Sequence, residues 1–196
     1  DVVPGANDNG TGCVALVALA RALAANPTES VRVLFLSTSE EALCEGMGMF
    51  MDRHGHELSR DGTFFLCPDT IGSPTLTVLR GAGMLAMRDY PPRSVELIDS
   101  EAERLGIELV PNLRLRNATD GVFPLNAGYE CVAVCSVNEL KNPSNYHWPT
   151  DTADNGLNRV TASFSVPAGC TAPPAPALPP RPASSPSSEA GLPSDV

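Results

Sequence analysis

An almost uncharged helix-like run, followed at once by a short strand-like run, limits the folds open to this chain. Residues 11–25 lead from a Gly-Thr-Gly turn through alanine and leucine to Asn26-Pro27, with Arg21 as the one charged residue. Strong helix formers ending before a proline are typical of a helix. The next run, Val31 to Leu36, is short and apolar, which predicts a strand covered on both faces.

Helix-like and strand-like segments continue to alternate along the chain. The sequence predicts a helix over 39–53, strands over 64–67 and 75–79, a helix over 94–105 and a strand over 131–137. This alternation is typical of an α/β domain with a mixed, mostly parallel central sheet flanked by helices. Sites in such sheets form beyond the carboxyl ends of the strands. Carboxylates stand at such positions, because Glu40 and Glu41 follow one predicted strand and Asp69 follows another.

The composition changes near the end of the chain. Residues 167–196 hold nine of the 19 prolines, and serine and alanine make up most of the rest. A segment of this kind buries too little apolar surface to offset its chain entropy. We therefore expect one globular domain over 1–166 and a disordered tail over 167–196, although translation of a shifted reading frame would give a similar composition.

The charge of the chain argues against a nucleic-acid partner, and its hydropathy argues against a membrane span. The net charge of -10 repels polyphosphate, and no cluster of lysine or arginine interrupts the acidic background, so we expect no nucleic-acid partner. Because Arg21 interrupts the longest apolar run, we also expect no membrane span. The sequence starts at Asp1 without a signal-like segment, so we expect a processed or truncated start and leave the localisation open.

The cysteines do not predict a structural zinc site. Five of the six lie within apolar or element-like segments and lack the CxxC spacing of such sites: Cys13, Cys44, Cys67, Cys131 and Cys135. Buried free thiols are the prediction. Disulfides would need the fold to bring two cysteines together, which the sequence leaves open.

Four short segments carry residues capable of chemistry. They are GANDNGTG at 5–12, STSEEALCEG at 37–46, CPDTIG at 67–72 and NYHWPTDT at 145–152. Each also has an ordinary structural interpretation. Asp8 could cap the following helix, and Glu40-Glu41 could be solvated carboxylates in a first helical turn. Asp69 could belong to a turn, and His147 to a loop.

The order and spacing of the four segments together resemble a known family. They are similar to the co-catalytic di-zinc aminopeptidases, a family that also includes bacterial aminopeptidase S and glutamate carboxypeptidase II. The family pattern is H-x-D, then G-A-x-D-N-x-x-G, E-E, an Asp after a strand, and Y-H with a following D-T. The resemblance covers about residues 1–160 and implies a zinc exopeptidase fold.

The resemblance implies a role for each matched residue. Asp8 would bridge two Zn²⁺ ions, Glu41 would bind one of them, and Asp69 and His147 would bind the other. Glu40 would be the general base that takes a proton from water and delivers it to the leaving amine. Zinc assists by lowering the pKa of water towards about 7.

Two further residues of the last segment match the family pattern. Tyr146 aligns with a tyrosine whose hydroxyl helps to stabilise the oxyanion of the reaction. Asp151 could orient His147 as a carboxylate behind the ligand, or it could be an ordinary turn residue.

The chain also departs from the family pattern. Asp1 aligns with the Asp of H-x-D, so the first histidine ligand would lie two residues before it, and one metal site would be incomplete here. His54 and His56 lie after the second predicted helix, where we do not expect them to replace that ligand. Pro68 could redirect Asp69. Asp120, in T-D-G-V-F-P, is predicted to be structural or on the substrate side.

Two functions from different classes follow. The first is a zinc-dependent exopeptidase with a peptide substrate, most simply one that releases N-terminal residues. The second is a non-catalytic or remnant domain that keeps the fold and lacks one metal ligand. A carboxypeptidase or a single-zinc cyclase stays open within the enzyme class, because one ligand frame supports several chemistries. The sequence does not predict an oligomeric state.

Overall fold

The longest strand lies at the centre of the larger sheet. In this computed structural model, which describes residues 3–38, 45–116 and 118–155, the order of that sheet is β1 (Phe64–Pro68), β6 (Glu130–Val137), β2 (Thr75–Val78). β6 is parallel to β1, with Phe64 opposite Glu130, and antiparallel to β2. The strands are β1 (Phe64–Pro68), β2 (Thr75–Val78), β3 (Gly81–Ala82), β4 (Arg88–Asp89), β5 (Arg114–Leu115) and β6 (Glu130–Val137).

A second, smaller sheet is formed by strands that come between β2 and β6 in the chain. Its order is β4-β3-β5, with β3 antiparallel to β4 and parallel to β5. Four α-helices accompany the two sheets: α1 (Gly12–Ala25), α2 (Glu45–His54), α3 (Pro92–Leu105) and α4 (Val122–Asn126). The predicted mixed α/β fold is therefore confirmed.

The core forms around β6 because this strand is buried along most of its length. Cys131, Val132, Ala133 and Val137 are almost completely inaccessible to solvent, as a strand covered on both faces requires. Leu79 follows β2 and donates its backbone N–H to the carbonyl of Ala133 at 3.0 Å. Burial of these side chains supplies the main stabilisation of the domain.

Local signals fix the ends of α3. Pro92 occupies the first turn, where a missing N–H costs no hydrogen bond, and Gly106 ends the helix with a positive φ of 67°. α1 ends where the N–H of Asn26 donates to the carbonyl of Ala22. The predicted helices over 11–25 and 94–105 are confirmed, as are the strands over 64–67, 75–79 and 131–137.

The predicted buried strand at 31–36 is wrong. Residues 31–36 form no strand, and Val31, Val33, Leu34 and Phe35 are all exposed. A strand needs a lateral hydrogen-bonding partner, and no described strand pairs with this run. The predicted helix over 39–53 is helical from Glu45, the first described residue of that range, onwards. Residues 39–44, including Glu40, Glu41 and Cys44, lie outside the described residues, as do 156–196 with the predicted domain boundary and tail.

One cysteine prediction is also wrong. Cys13 is exposed, because α1 buries only Gly12 among its residues in this structure. Cys67 is partly buried, Cys131 and Cys135 are buried, and all four are free thiols. In the part of the chain that is described, no helix is long and apolar enough to cross a bilayer.

We predict that Leu79→Ala lowers the free energy of unfolding by about 2–5 kcal/mol, because it removes a fully buried side chain and leaves a cavity. The matched control is Leu85→Ala, at a fully exposed position, which should change stability by less than about 0.5 kcal/mol. Urea unfolding followed by circular dichroism measures both. Equal effects of the two variants would contradict the core described above.

Candidate metal centre

The first segment of the site is the turn that precedes α1. Gly5 adopts the left-handed conformation with φ of 69°, and its carbonyl accepts the N–H of Gly10 at 3.0 Å. Asp8 and Asn9 then leave helical geometry, and the peptide bond between them is cis. The side chain of Asn9, rather than that of Asp8, accepts the N–H of Gly12 at 3.0 Å. Asp8 therefore does not cap α1, and its carboxylate turns inward, with only 1% of the side chain exposed.

The second segment lies at the carboxyl end of β1. Asp69 donates its N–H to the carbonyl of Val134 at 2.9 Å, so the ladder with β6 continues past Pro68. Thr70 is buried and has a positive φ of 52°. Its hydroxyl lies 3.1 Å from Asp8 Oδ1 and 2.8 Å from Asp69 Oδ1. The two predicted ligands therefore meet around one hydroxyl group.

The third segment supplies His147. Its Nε2 lies 3.2 Å from Asp8 Oδ2, while about half of the side chain is exposed to solvent. The ring of Tyr146 stacks on the imidazole, with 3.9 Å between the ring centroids and 16° between the planes. Asp8 thus faces Thr70 with one carboxylate oxygen and His147 with the other.

This geometry is compatible with a zinc ion. Nitrogen and oxygen ligands lie about 2.0–2.2 Å from zinc, so two ligands at a tetrahedral angle are about 3.3 Å apart. The observed separation of 3.2 Å between Asp8 Oδ2 and His147 Nε2 agrees with that spacing. Two carboxylates that share one buried hydroxyl also repel each other unless a cation or a proton lies between them. The donors are the oxygen and imidazole ligands that zinc accepts.

The predicted ligands among the described residues do not make up a complete metal-binding group. Within 3–38, 45–116 and 118–155, no three His, Cys, Asp or Glu residues are arranged to hold an ion by themselves. Of the predicted residues, the structure brings together Asp8, Asp69, His147 and Tyr146. Glu40 and Glu41 lie outside the described residues.

The segment that leads to Glu40 and Glu41 contacts the turn that precedes α4. Thr38 donates its hydroxyl to Asp120 Oδ2, which lies just before the helix. Next to it, the hydroxyl of Thr119 lies 3.2 Å from that of Tyr90, so the turn is fixed to the core. This contact favours the structural interpretation of Asp120.

Other titratable groups near the site act as core residues. Burial raises the pKa of Cys67 well above its usual value, and the nearby Asp69 and Asp120 raise it further. Burial, with a contribution from Glu130, raises the pKa of Cys131 to about 12. Burial also raises the pKa of Cys135. These thiols stay protonated at neutral pH and therefore offer little reactive thiolate.

The two other histidines have partners elsewhere or lie at the surface. His54 Nδ1 lies 3.1 Å from Glu57 Oε1, and its ring packs on Phe50 with 5.4 Å between centroids. His56 lies in the short 3-10 turn Gly55–Glu57, which contains no buried residue. The structure gives neither a role as the missing ligand.

The sequence did not predict the contacts that two residues, Thr70 and Asp151, make beside Asp8. Thr70 gave no signal beyond its place next to Asp69. Asp151 was expected to orient His147 or to form a turn, yet its two carboxylate oxygens accept the backbone N–H groups of Asn7 and Asp8 at 2.8 and 3.0 Å. The contact of Thr70 with Asp8 and those of Asp151 with Asn7 and Asp8 join segments that are distant in the chain.

Comparison with solved structures supports the fold. The chain is similar to the zinc aminopeptidase BSAP from Bacillus subtilis, with a TM-score of 0.57 and 22% identity over 81% of this chain. It spans 39% of the length of that protein. A search of curated proteins finds no match.

The family assignment comes from the sequence match over most of the chain. Residues 1–164 match peptidase family M28. The chain therefore belongs to peptidase family M28, in agreement with the resemblance that its four segments showed.

We predict that a thiol-reactive probe at about pH 8 labels Cys13 in the folded protein and leaves Cys67, Cys131 and Cys135 unlabelled. The three have raised pKa values, so almost no thiolate is present, and they are partly or fully buried. Peptide mapping by mass spectrometry identifies the labelled sites. Labelling in urea is the control, where all should react. Rapid labelling of Cys131 or Cys135 in the folded protein would contradict the structure.

Proposed function

We propose that the protein to which this chain belongs is a zinc-dependent exopeptidase that releases N-terminal residues from peptides. The observation that carries the proposal is the convergence of Asp8, Asp69 and His147 from three distant segments, with Asp8 contacting both Thr70 and His147. Membership of a peptidase family and a fold like that of a zinc aminopeptidase support it.

Four side chains would hold two zinc ions. Asp8 would bridge them, Asp69 and His147 would bind one ion, and Glu41 would bind the other. When bound, zinc polarises the scissile carbonyl and makes water a stronger acid. The carboxylates and the imidazole would hold those ions beyond the carboxyl end of β1, where substrate could approach from solvent.

Two residues would handle the proton and the developing charge. Glu40 would accept a proton from the attacking water and give it to the amine nitrogen as the C–N bond breaks. Tyr146 would donate its hydroxyl to the carbonyl oxygen as negative charge develops there. Its stacking on His147 restricts the direction of the ring, which supports a fixed donor at this place.

We expect the full-length protein to hydrolyse an aminoacyl-anilide and to lose that activity when a chelator removes zinc. Glu40→Gln should reduce kcat by about 10²–10⁴-fold, because the amide cannot accept the proton. The zinc content of Glu40→Gln is the control and should stay unchanged, since Glu40 is not a ligand in this scheme. Activity that survives both the chelator and the substitution would rule the proposal out.

The direction of cleavage needs its own substrates. A peptide with a free N-terminus and an amidated C-terminus should be cleaved, whereas one with an acetylated N-terminus and a free C-terminus should not. Mass spectrometry of the products shows which of the two peptides is cleaved and from which end. The opposite preference would indicate a carboxypeptidase, and loss of ammonia from an N-terminal glutamine without cleavage would indicate a cyclase.

The alternative is a remnant domain that keeps the fold without catalysis. It is favoured by the absence of a complete ligand group among the described residues. Metal analysis separates the two proposals. About two zinc ions per chain in the full-length protein would support the enzyme, and one or none would support the remnant.

A further inference from the structure

Asp151 is a buried carboxylate whose contacts lie next to a proposed metal ligand. Its exposed fraction is 1%. Oδ1 accepts the N–H of Asn7 at 2.8 Å, and Oδ2 accepts the N–H of Asp8 at 3.0 Å. The carbonyl of Asp151 also accepts the N–H of Ala6 at 3.1 Å. Three consecutive backbone donors before α1 therefore end on this one residue.

These bonds connect two ligand segments that are 144 residues apart in the chain. Asp151 belongs to the same short loop as His147, and its own N–H bonds the carbonyl of Trp148 at 3.0 Å. Trp148 in turn donates its N–H to the carbonyl of Asn145 at 2.9 Å. The loop that presents the imidazole is thus attached by Asp151 to the turn that presents Asp8.

The side chain of Asn7 closes the attachment from the other side. Its amide donates to Ser73 Oγ at 3.2 Å and to the carbonyl of Ser144 at 3.0 Å, and its oxygen accepts the N–H of Gly72 at 2.8 Å. The Asp8 turn is therefore held against both the end of β1 and the His147 loop. The backbone amides of Asn7 and Asp8 bond the carboxylate of Asp151, and an amide bonds a carboxylate more strongly than a neutral acceptor.

We propose that Asp151 is a positioning residue that fixes the Asp8 carboxylate against His147 before any metal binds. This role rests on the proposed zinc centre. Both oxygens of Asp151 already accept backbone amides, so it serves as an anchor rather than as a further ligand. Buried backbone donors need acceptors, and without Asp151 the Asn7 and Asp8 amides would have to find others, which would turn Asp8 away from the imidazole.

The test is zinc affinity, measured by competition with a chromogenic chelator on the full-length protein. In Asp151→Asn, one oxygen is replaced by an NH₂ group that faces a backbone N–H, so one anchor bond is lost. We expect zinc to bind about 10–100-fold more weakly, the range found when a group that orients metal ligands is removed. The matched control is Asp154→Asn in the same loop, at an exposed position, which should keep wild-type affinity.

A second measurement needs no variant. In the metal-free wild-type protein, the amide hydrogens of Asn7 and Asp8 should exchange slowly with solvent, because Asp151 already accepts them. Nuclear magnetic resonance reads each amide. Exchange as fast as that of an exposed amide until zinc is added would overturn the positioning role even if Asp151→Asn failed to fold.

The outcomes separate this inference from the proposed function. Zinc binding by the wild-type protein with unchanged affinity in folded Asp151→Asn would overturn the positioning role alone. An equal loss in Asp154→Asn would overturn it too, since the effect would not be specific to the anchor. A wild-type protein that binds no zinc would overturn the proposed function and this role with it.

Discussion

The site depends on two acidic side chains meeting around a single buried hydroxyl. Asp8 and Asp69 both contact Thr70 Oγ1, and Asp8 is almost completely removed from solvent. Two like charges that both contact one hydroxyl group, at 3.1 and 2.8 Å, repel each other. A fold that keeps them together gains from a cation there, and His147 places an imidazole nitrogen 3.2 Å from Asp8 Oδ2 on the solvent side. The acidic net charge of the chain favours cations over anions in the same way.

The sheet gives this meeting its rigidity. β1 is parallel to β6, and the backbone of Asp69 continues the ladder for one residue beyond Pro68, so the carboxylate starts from a fixed point. The other two segments are loops, which would move independently if they were not tied to each other. Asp151 joins them, and the side chain of Asn7 ties the pair back to the end of β1. A site that draws its residues from loops thus gains the rigidity of the strands.

Local sequence signals predicted most of the fold. Asn26-Pro27 marked the end of α1 correctly, and the strand-like run at 131–137 is the central strand. The run at 31–36 has equally good strand-forming residues, but a strand also needs a neighbour, and composition carries no information about pairing. Asp8, Asp69 and His147 could be picked out because their segments occur in a specific order. The contacts of Thr70 with Asp8 and of Asp151 with Asn7 and Asp8 could not be predicted, because they join residues that are far apart in the chain.

X-ray absorption spectroscopy at the zinc edge of the full-length protein tests the central claim most directly. The account predicts a first shell made only of nitrogen and oxygen at about 2.0–2.2 Å, with the outer-shell scattering of a histidine ring. Cys67, Cys131 and Cys135 are not among the proposed ligands, so no sulfur is expected in the first shell. Sulfur scattering at about 2.3 Å would contradict the claim that carboxylates and an imidazole hold the metal.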